Sequence, residues 1–308
     1  MDITQIIAGV AQKSNRAIAK GISLVENGDE QAEQLLTSLD QDLIDQAVVL
    51  GVTGPPGAGK STLTDKLVGV CRGQGKRIGV LAIDPSSPLT GGAIHGDRIR
   101  MMQHALDGEV VLRSMATRGR LGGLCASAGA GVRIMAAGGC NPILIETVGV
   151  GQSEMDIIRL ADVTALVSAP GLGDDIQALK AGLLEVADIM VVNKADKPGA
   201  ELLAMELSEV ARGRGREVML TVASEGTGVP ELLAAMLNIF EEQQASGEIS
   251  RRRLEARHRE IVDWALEILR PMVSEAGREI QASLAGDPRV KARTIVEALT
   301  QRQSLIED

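Results

Sequence analysis

The string Gly54-Pro55-Pro56-Gly57-Ala58-Gly59-Lys60-Ser61 constrains this chain more than any other feature. It is a G-x-x-x-x-G-K-S pattern that follows a β-branched run over 48–53 and precedes a segment with helical apolar spacing. A strand, a glycine-rich turn and a helix start, in that order, wrap main-chain N–H groups and the positive helix end around phosphate. In such a cradle Gly54, Pro55, Pro56, Gly57, Ala58 and Gly59 supply backbone. Lys60 reaches the β and γ oxygens, Ser61 offers its hydroxyl to Mg²⁺, and Thr62 completes the helix start.

The pattern around this loop predicts its setting. Seven short runs, 48–53, 77–84, 110–113, 142–146, 163–168, 189–193 and 217–222, alternate with helical segments. That alternation implies an α/β fold of the P-loop NTPase type, a mostly parallel sheet flanked by helices with its ligands at the carboxyl ends of the strands. Residues 1–45 read as a helical prefix with a polar turn near Asn27–Glu30, residues 46–245 as the nucleotide domain, and residues 246–308 as a helical arm. In the arm, Leu254, Ile261, Ala265, Ile268 and Met272 form a seam, with Pro271 and Gly286–Pro288 as expected breaks.

Composition removes other classes. Only Phe240 and Trp264 are aromatic, so the core must be aliphatic and no stacking platform for single-stranded nucleic acid exists. With 32 basic against 41 acidic residues the net charge is −9, the wrong sign for a nucleic-acid backbone. No apolar run approaches the roughly 20 residues of a membrane span, and Met1–Val10 lacks a charged start leading into an apolar stretch. The expectation is a cytoplasmic protein that binds neither nucleic acid nor membrane. Cys71, Cys125 and Cys140 lie far apart, which fits neither a disulfide framework nor a CxxC metal knuckle. Of 35 glycines, 24 fall between Gly51 and Gly182, which locates the chemistry there.

The base is read elsewhere, in Asn193-Lys194-Ala195-Asp196 at the end of the run 189–193. Guanine presents adjacent N1–H and N2–H₂ donors that match the two oxygens of Asp196. Adenine presents an acceptor at N1, a mismatch worth about 1–3 kcal/mol or more. GTP and GDP are therefore the expected ligands. Asn193 would tie this loop to the phosphate cradle, the stem of Lys194 would cover the base, and a main-chain N–H of Val222, Ala223 or Ser224 would meet guanine O6. Three carboxylates are placed for hydrolysis: Asp84 ends the run 77–84, Asp97 lies in 91–98, and Glu146 ends the run 142–146. Asp84 and Glu146 are read as the Mg²⁺ shell, and Asp97 as orienting the attacking water and as a further magnesium candidate. The Gly149 N–H would sense the γ-phosphate.

The strings GPPGAGKST, IDPSSP, GDRIRM, ETVGVGQSE and NKAD, in order over roughly residues 1–245, resemble the methylmalonyl-CoA mutase-associated GTPases, the MeaB or ArgK family. That resemblance implies a GTPase that gates adenosylcobalamin loading and protects an adenosylcobalamin-dependent acyl-CoA mutase. It also implies a homodimer formed through the arm and an additional switch over Gly171–Lys180. Where the family has His after T-R-G this chain has Arg120, and the span from Asp196 to Val222 is short, both of which bear on the partner surface. No glutamine directly follows Gly149, so slow turnover accelerated by a partner is expected.

Two other readings share these motifs. One is a metal-insertion GTPase of hydrogenase or urease maturation, which calls for a Cys/His cluster. The other is a kinase linked to basic amino-acid transport, which calls for a phosphoacceptor. The seam of the arm could instead fold back on its own domain. The run Ser250-Arg251-Arg252-Arg253 reads as a solvated helix start.

Overall fold

The computed structural model describes residues 1–84, 104, 106–116, 123–147, 159–172, 184, 187–213, 215–280 and 287–304. All seven expected runs form strands: β1 Val49–Thr53, β2 Ile78–Asp84, β3 Val110–Ala116, β4 Ile143–Thr147, β5 Val163–Ser168, β6 Ile189–Asn193 and β7 Val218–Thr221. They make one sheet in the order β3-β2-β4-β1-β5-β6-β7, parallel at every pairing. β1, β4, β5 and β6 are buried along their whole length. Strands covered on both faces need apolar residues at every position, which is why they read as continuous runs rather than alternating ones.

Helices flank the sheet: α1 Ile3–Ala11, α2 Asn15–Asn27, α3 Gln31–Thr37, α4 Gln41–Gln46, α5 Lys60–Gly73, α6 Gly123–Ala137, α7 Ala200–Arg212 and α8 Val229–Ala245, and the chain goes on through α9 Glu248–Ile280 and α10 Pro288–Ser304. The prefix is thus four short helices, each opened or closed by local chemistry. Asp2 and Gln5 form a capping box on α1, Ser14 caps α2, Gly28 ends α2 at φ 66°, and Asp40 caps α4. α2 packs along α6, and Arg77 fastens the prefix further. Its guanidinium donates to the carbonyls of Lys13, Gly108 and Gly138 and pairs with the Asn15 side chain.

The core is aliphatic throughout, with Leu50, Val52, Leu63, Leu67, Leu144, Val163, Val191 and Leu232 at its centre and Phe240 only packed against it. The chain divides into two compact units, Met1–Ala256 and Arg257–Asp308. In the second, α9 and α10 approach each other closely, a Cβ built on Gly277 lying 3.8 Å from Ile295. Among the described residues no helix is long and apolar enough to cross a membrane.

Two expectations are corrected. Pro271 does not break the arm, because α9 runs through it for 33 residues. One missing i→i−4 bond is outweighed by the cooperative ladder on either side. Nor is the Arg251–Arg253 run simply solvated. Only Arg251 is exposed, pairing with Glu248 and Glu255. Arg252 donates to buried Asp188 at 3.0 Å. Arg253 grips buried Asp162 through two bonds of 2.7 Å and also binds the Asp45 and Ala47 carbonyls. These arginines clamp the start of α9 to the amino ends of β5 and β6.

Candidate functional site

The carboxyl edge of the sheet gathers what sequence separates. β1 is central and pairs with β4 on one side and β5 on the other, so the loop leaving β1 lies beside Glu146, whose register partner is Val52. The loop bends where only glycine serves. Gly54 has φ 140°, and a Cβ there would stand 2.0 Å from the Val167 carbonyl oxygen of β5. Gly59 has φ 89°, and a Cβ there would collide with Asn193 Nδ2 at 2.3 Å. The cradle thus rests on β5 and touches the Asn193 loop.

Lys60 opens α5 and is 5% exposed. Its ammonium donates to the Gly54 carbonyl at 2.7 Å and the Pro55 carbonyl at 3.0 Å. Beside it the Ser61 hydroxyl donates to Glu146 Oε1 at 2.5 Å, and Glu146 is 4% exposed. A hydroxyl and a carboxylate side by side are hard oxygen donors of the kind Mg²⁺ selects. Beneath them the hydroxyls of Thr53 and Thr147 stand 3.3 Å apart, joining β1 to β4.

Asn193, at the end of β6, is the hub. Its Nδ2 donates to the Ala58 carbonyl at 2.9 Å. Its Oδ1 accepts from Thr221 Oγ1 at 3.1 Å and from the Ala223 N–H at 3.0 Å. One buried amide therefore joins the phosphate cradle, the N-K-x-D loop and the loop after β7. Lys194 takes φ 56° and sends its ammonium to the Gly57 carbonyl at 2.8 Å, so its stem spans from one loop to the other. Asp196 is 39% exposed along its side chain, with Lys197 Nζ 3.2 Å from its Oδ2. Of the three amides proposed to meet a carbonyl, that of Val222 bonds to Thr227 O and that of Ala223 to Asn193. Ser224 carries the N–H not so used among the described residues.

Asp97, Gly149 and most of Gly171–Lys180 lie outside the described residues, as does the side chain of Asp84, whose backbone closes β2 opposite Ala116. Sequence reasoning missed the Thr221 hydroxyl and, within the expected switch, the approach of the Leu172 side chain to the cradle, its Cδ2 standing 3.7 Å from the Cβ position of Gly57. Neither carries a signal, since a threonine in a strand and a leucine before a loop both read as packing.

A parallel sheet whose central strand feeds a glycine cradle, with an N-K-x-D loop hydrogen-bonded into it, defines the class of P-loop GTPases. The model of the methylmalonyl-CoA mutase-associated GTPase family, MeaB, matches residues 18–266. The chain belongs to that family and is a GTPase. A Pyrococcus abyssi protein named as a GTPase is 46% identical over 260 residues, 82% of this chain and 80% of its own length. The GTPase ArgK of Escherichia coli K12 is 32% identical, over 85% of this chain and 82% of its own. The mouse "Methylmalonic aciduria type A homolog, mitochondrial" is also 32% identical, over 82% of this chain and 66% of its own. A solved structure described as a LAO/AO transport system kinase superposes with TM-score 0.69 at 23% identity, covering 97% of each chain, which speaks to the fold alone.

Proposed function

We propose that this GTPase binds GTP and GDP across the edge described above and uses the cycle to gate adenosylcobalamin loading of an adenosylcobalamin-dependent acyl-CoA mutase, which it also protects, as a cytoplasmic homodimer. The observation that carries the nucleotide reading is the triple engagement of Asn193. With it, the loop that holds phosphate and the two loops proposed to hold the base are one hydrogen-bonded body, so the two ends of a nucleotide are read at a fixed separation. The family's description and the mouse relative's name support the mutase as partner.

Within this reading Gly54, Pro55 and Pro56 shape the turn, the N–H groups from Gly57 to Thr62 surround the phosphates, and Lys60 exchanges its two carbonyl partners for phosphate oxygens. Ser61, with Asp84 and Glu146, would hold Mg²⁺. Bound there, the ion neutralises charge on the phosphate oxygens. The Ser61 hydroxyl donates its hydrogen to Glu146, so its oxygen lone pairs would stay available to the ion. Asp97 orients the attacking water and the Gly149 amide senses the γ-phosphate. Asp196 reads guanine N1–H and N2–H₂, and the Ser224 N–H meets O6. The exposed apolar side chains of the second unit, Ile261, Leu266, Ile268, Val290 and Val296, support a dimer through the arm.

The test is affinity capture from the native cell with the chain loaded with GDP, then with a non-hydrolysable GTP analogue. Nucleotide-dependent recovery of a cobalamin mutase is expected, and recovery of a nickel enzyme would overturn the reading. Free phosphate release, slow alone and faster with the mutase, is expected too. Turnover of about 1–100 per second by the chain alone would refute slow, partner-stimulated hydrolysis, and GDP without free phosphate would point to a kinase.

A further inference from the structure

The second helix carries a cluster that the nucleotide motifs do not use. Arg16, Ala19, Lys20 and Ser23 of α2 recur at i, i+3, i+4 and i+7 and so share one helix face. With Arg113 of β3, an edge strand of the sheet, they line a cavity of about 380 Å³ that no carboxylate lines among the described residues. Arg113 Nη2 donates to Ser23 Oγ at 3.0 Å and pairs with Glu26 outside the lining. Its Nε is buried without a hydrogen-bond partner among the described residues. Arg16 and Lys20 stand one turn apart, both exposed, and neither has an ion-pair partner among the described residues.

Cations four apart on a helix repel each other, and a buried guanidinium N–H without an acceptor costs free energy. In a chain of net charge −9, Arg16 and Lys20 without ion-pair partners among the described residues, beside an Arg113 that has Glu26 on one side only, favour an anion. We propose that this cavity binds a small phosphate-bearing anion, held by Arg16, Lys20 and Arg113. Guanidinium and ammonium groups bind phosphate oxygens by charge-assisted hydrogen bonds, and the volume falls in the roughly 300–1,000 Å³ range of small-molecule sites. Three cations and the Ser23 hydroxyl on one small lining suit a compact anion. The site is separate from the phosphate cradle, because β2 and β4 stand between β3 and β1. At about 4.8 Å per strand that is roughly 14 Å.

The experiment is titration calorimetry of the full chain, saturated with GDP and Mg²⁺ so that the cradle is filled. Inorganic phosphate and pyrophosphate are the probes, at fixed ionic strength and fixed free Mg²⁺, with chloride as control. The expected result is saturable pyrophosphate binding that weakens by about tenfold or more in Arg16→Ala/Lys20→Ala, with GDP affinity and GTPase rate unchanged and with Arg16→Lys retaining most of the binding. Both side chains are exposed, so the double variant is expected to fold, and its melting curve verifies this. No binding at millimolar pyrophosphate, or equal binding by the double variant, overturns the proposal. Binding of a polyglutamate peptide where pyrophosphate does not bind also overturns it and assigns the cluster to a protein partner.

Discussion

Asp196 is placed to choose the base by donor and acceptor pattern alone. Replacing it with asparagine exchanges one acceptor for a donor, which suits xanthine, whose C2 carries an oxygen in place of the amino group. Asp196→Asn is therefore expected to lose roughly tenfold to a hundredfold in GDP affinity, the equivalent of about 1–3 kcal/mol, and to gain affinity for xanthosine diphosphate. Competition between the two nucleotides checks this, and an unchanged preference would refute the assignment. Asn193 acts one step back from the ligand. Asn193→Ala leaves the Ala58 carbonyl and the Ala223 N–H without their side-chain partner, each costing about 1–3 kcal/mol when buried. GTP and GDP affinities are expected to fall together, since the loops lose their common brace rather than a contact to the γ-phosphate. A loss confined to GTP, measured with fluorescent analogues of both, would contradict this. The motif predicts that Asn193 meets the cradle. Its bonds to Thr221 and Ala223 needed the fold, because no spacing rule connects residue 193 to residue 221.

At the scale of elements, the strands were legible because a sheet buried on both faces needs uninterrupted β-branched runs, and all seven begin and end within a few residues of where hydrophobicity does. The start of α9 was not legible. Three arginines in a row look alike in sequence, yet two of them meet aspartates 64 and 91 residues away, at the amino ends of β6 and β5. Asp162 also accepts the Val49 N–H at 2.9 Å, so the Arg253–Asp162 pair stands on β1 as well. Arg253→Ala strands a buried carboxylate and is expected to cost roughly 3 kcal/mol in urea unfolding. Adding Asp162→Asn keeps the acceptor for Val49, removes the stranded charge and recovers part of that loss. If both variants match the parent, the pair is a surface contact. Glu248 contributes with a definite pH sense. Hydrogen bonds from Arg251 first and Arg252 second pull its carboxyl down to about 2 from 4.5. A depressed folded-state value stabilises above the unfolded value, so the gap in melting temperature between the parent and Glu248→Gln should be full above about pH 4.5. It should close as pH falls toward 2, and a gap independent of pH would exclude the ion pairs as its source.

For the whole molecule, the scarcity of aromatic rings becomes a statement about division of labour. Residues 1–239 contain no Phe, Tyr or Trp, and every nucleotide contact proposed for them is made by an amide, a carboxylate, a hydroxyl or a lysine. The rings that exist fall later, and Trp264 lies in the unit Arg257–Asp308 with its indole N–H 3.4 Å from Glu260. That unit carries most of the large apolar side chains that stand exposed among the described residues. Ile261 is 61% exposed and Ile268 66% exposed, seven residues apart and hence on one face of α9. Isolated exposed apolar residues are ordinary, but Leu254 and Met272 continue this face as a stripe, the kind of surface a partner covers. In the dimer proposed above, a second copy of the chain would supply the matching stripe by symmetry, as an isologous contact requires. Ile261→Asp/Ile268→Asp places a charge on each turn of that stripe. It is expected to convert a dimer to a monomer in size-exclusion chromatography with light scattering, and to shift the Trp264 emission to the red. GDP affinity should stay within about twofold, because no residue proposed for the nucleotide lies in that unit. A monomeric parent chain would remove the dimer. A double variant that loses nucleotide binding along with association would show instead that the arm and the GTP site act as one unit.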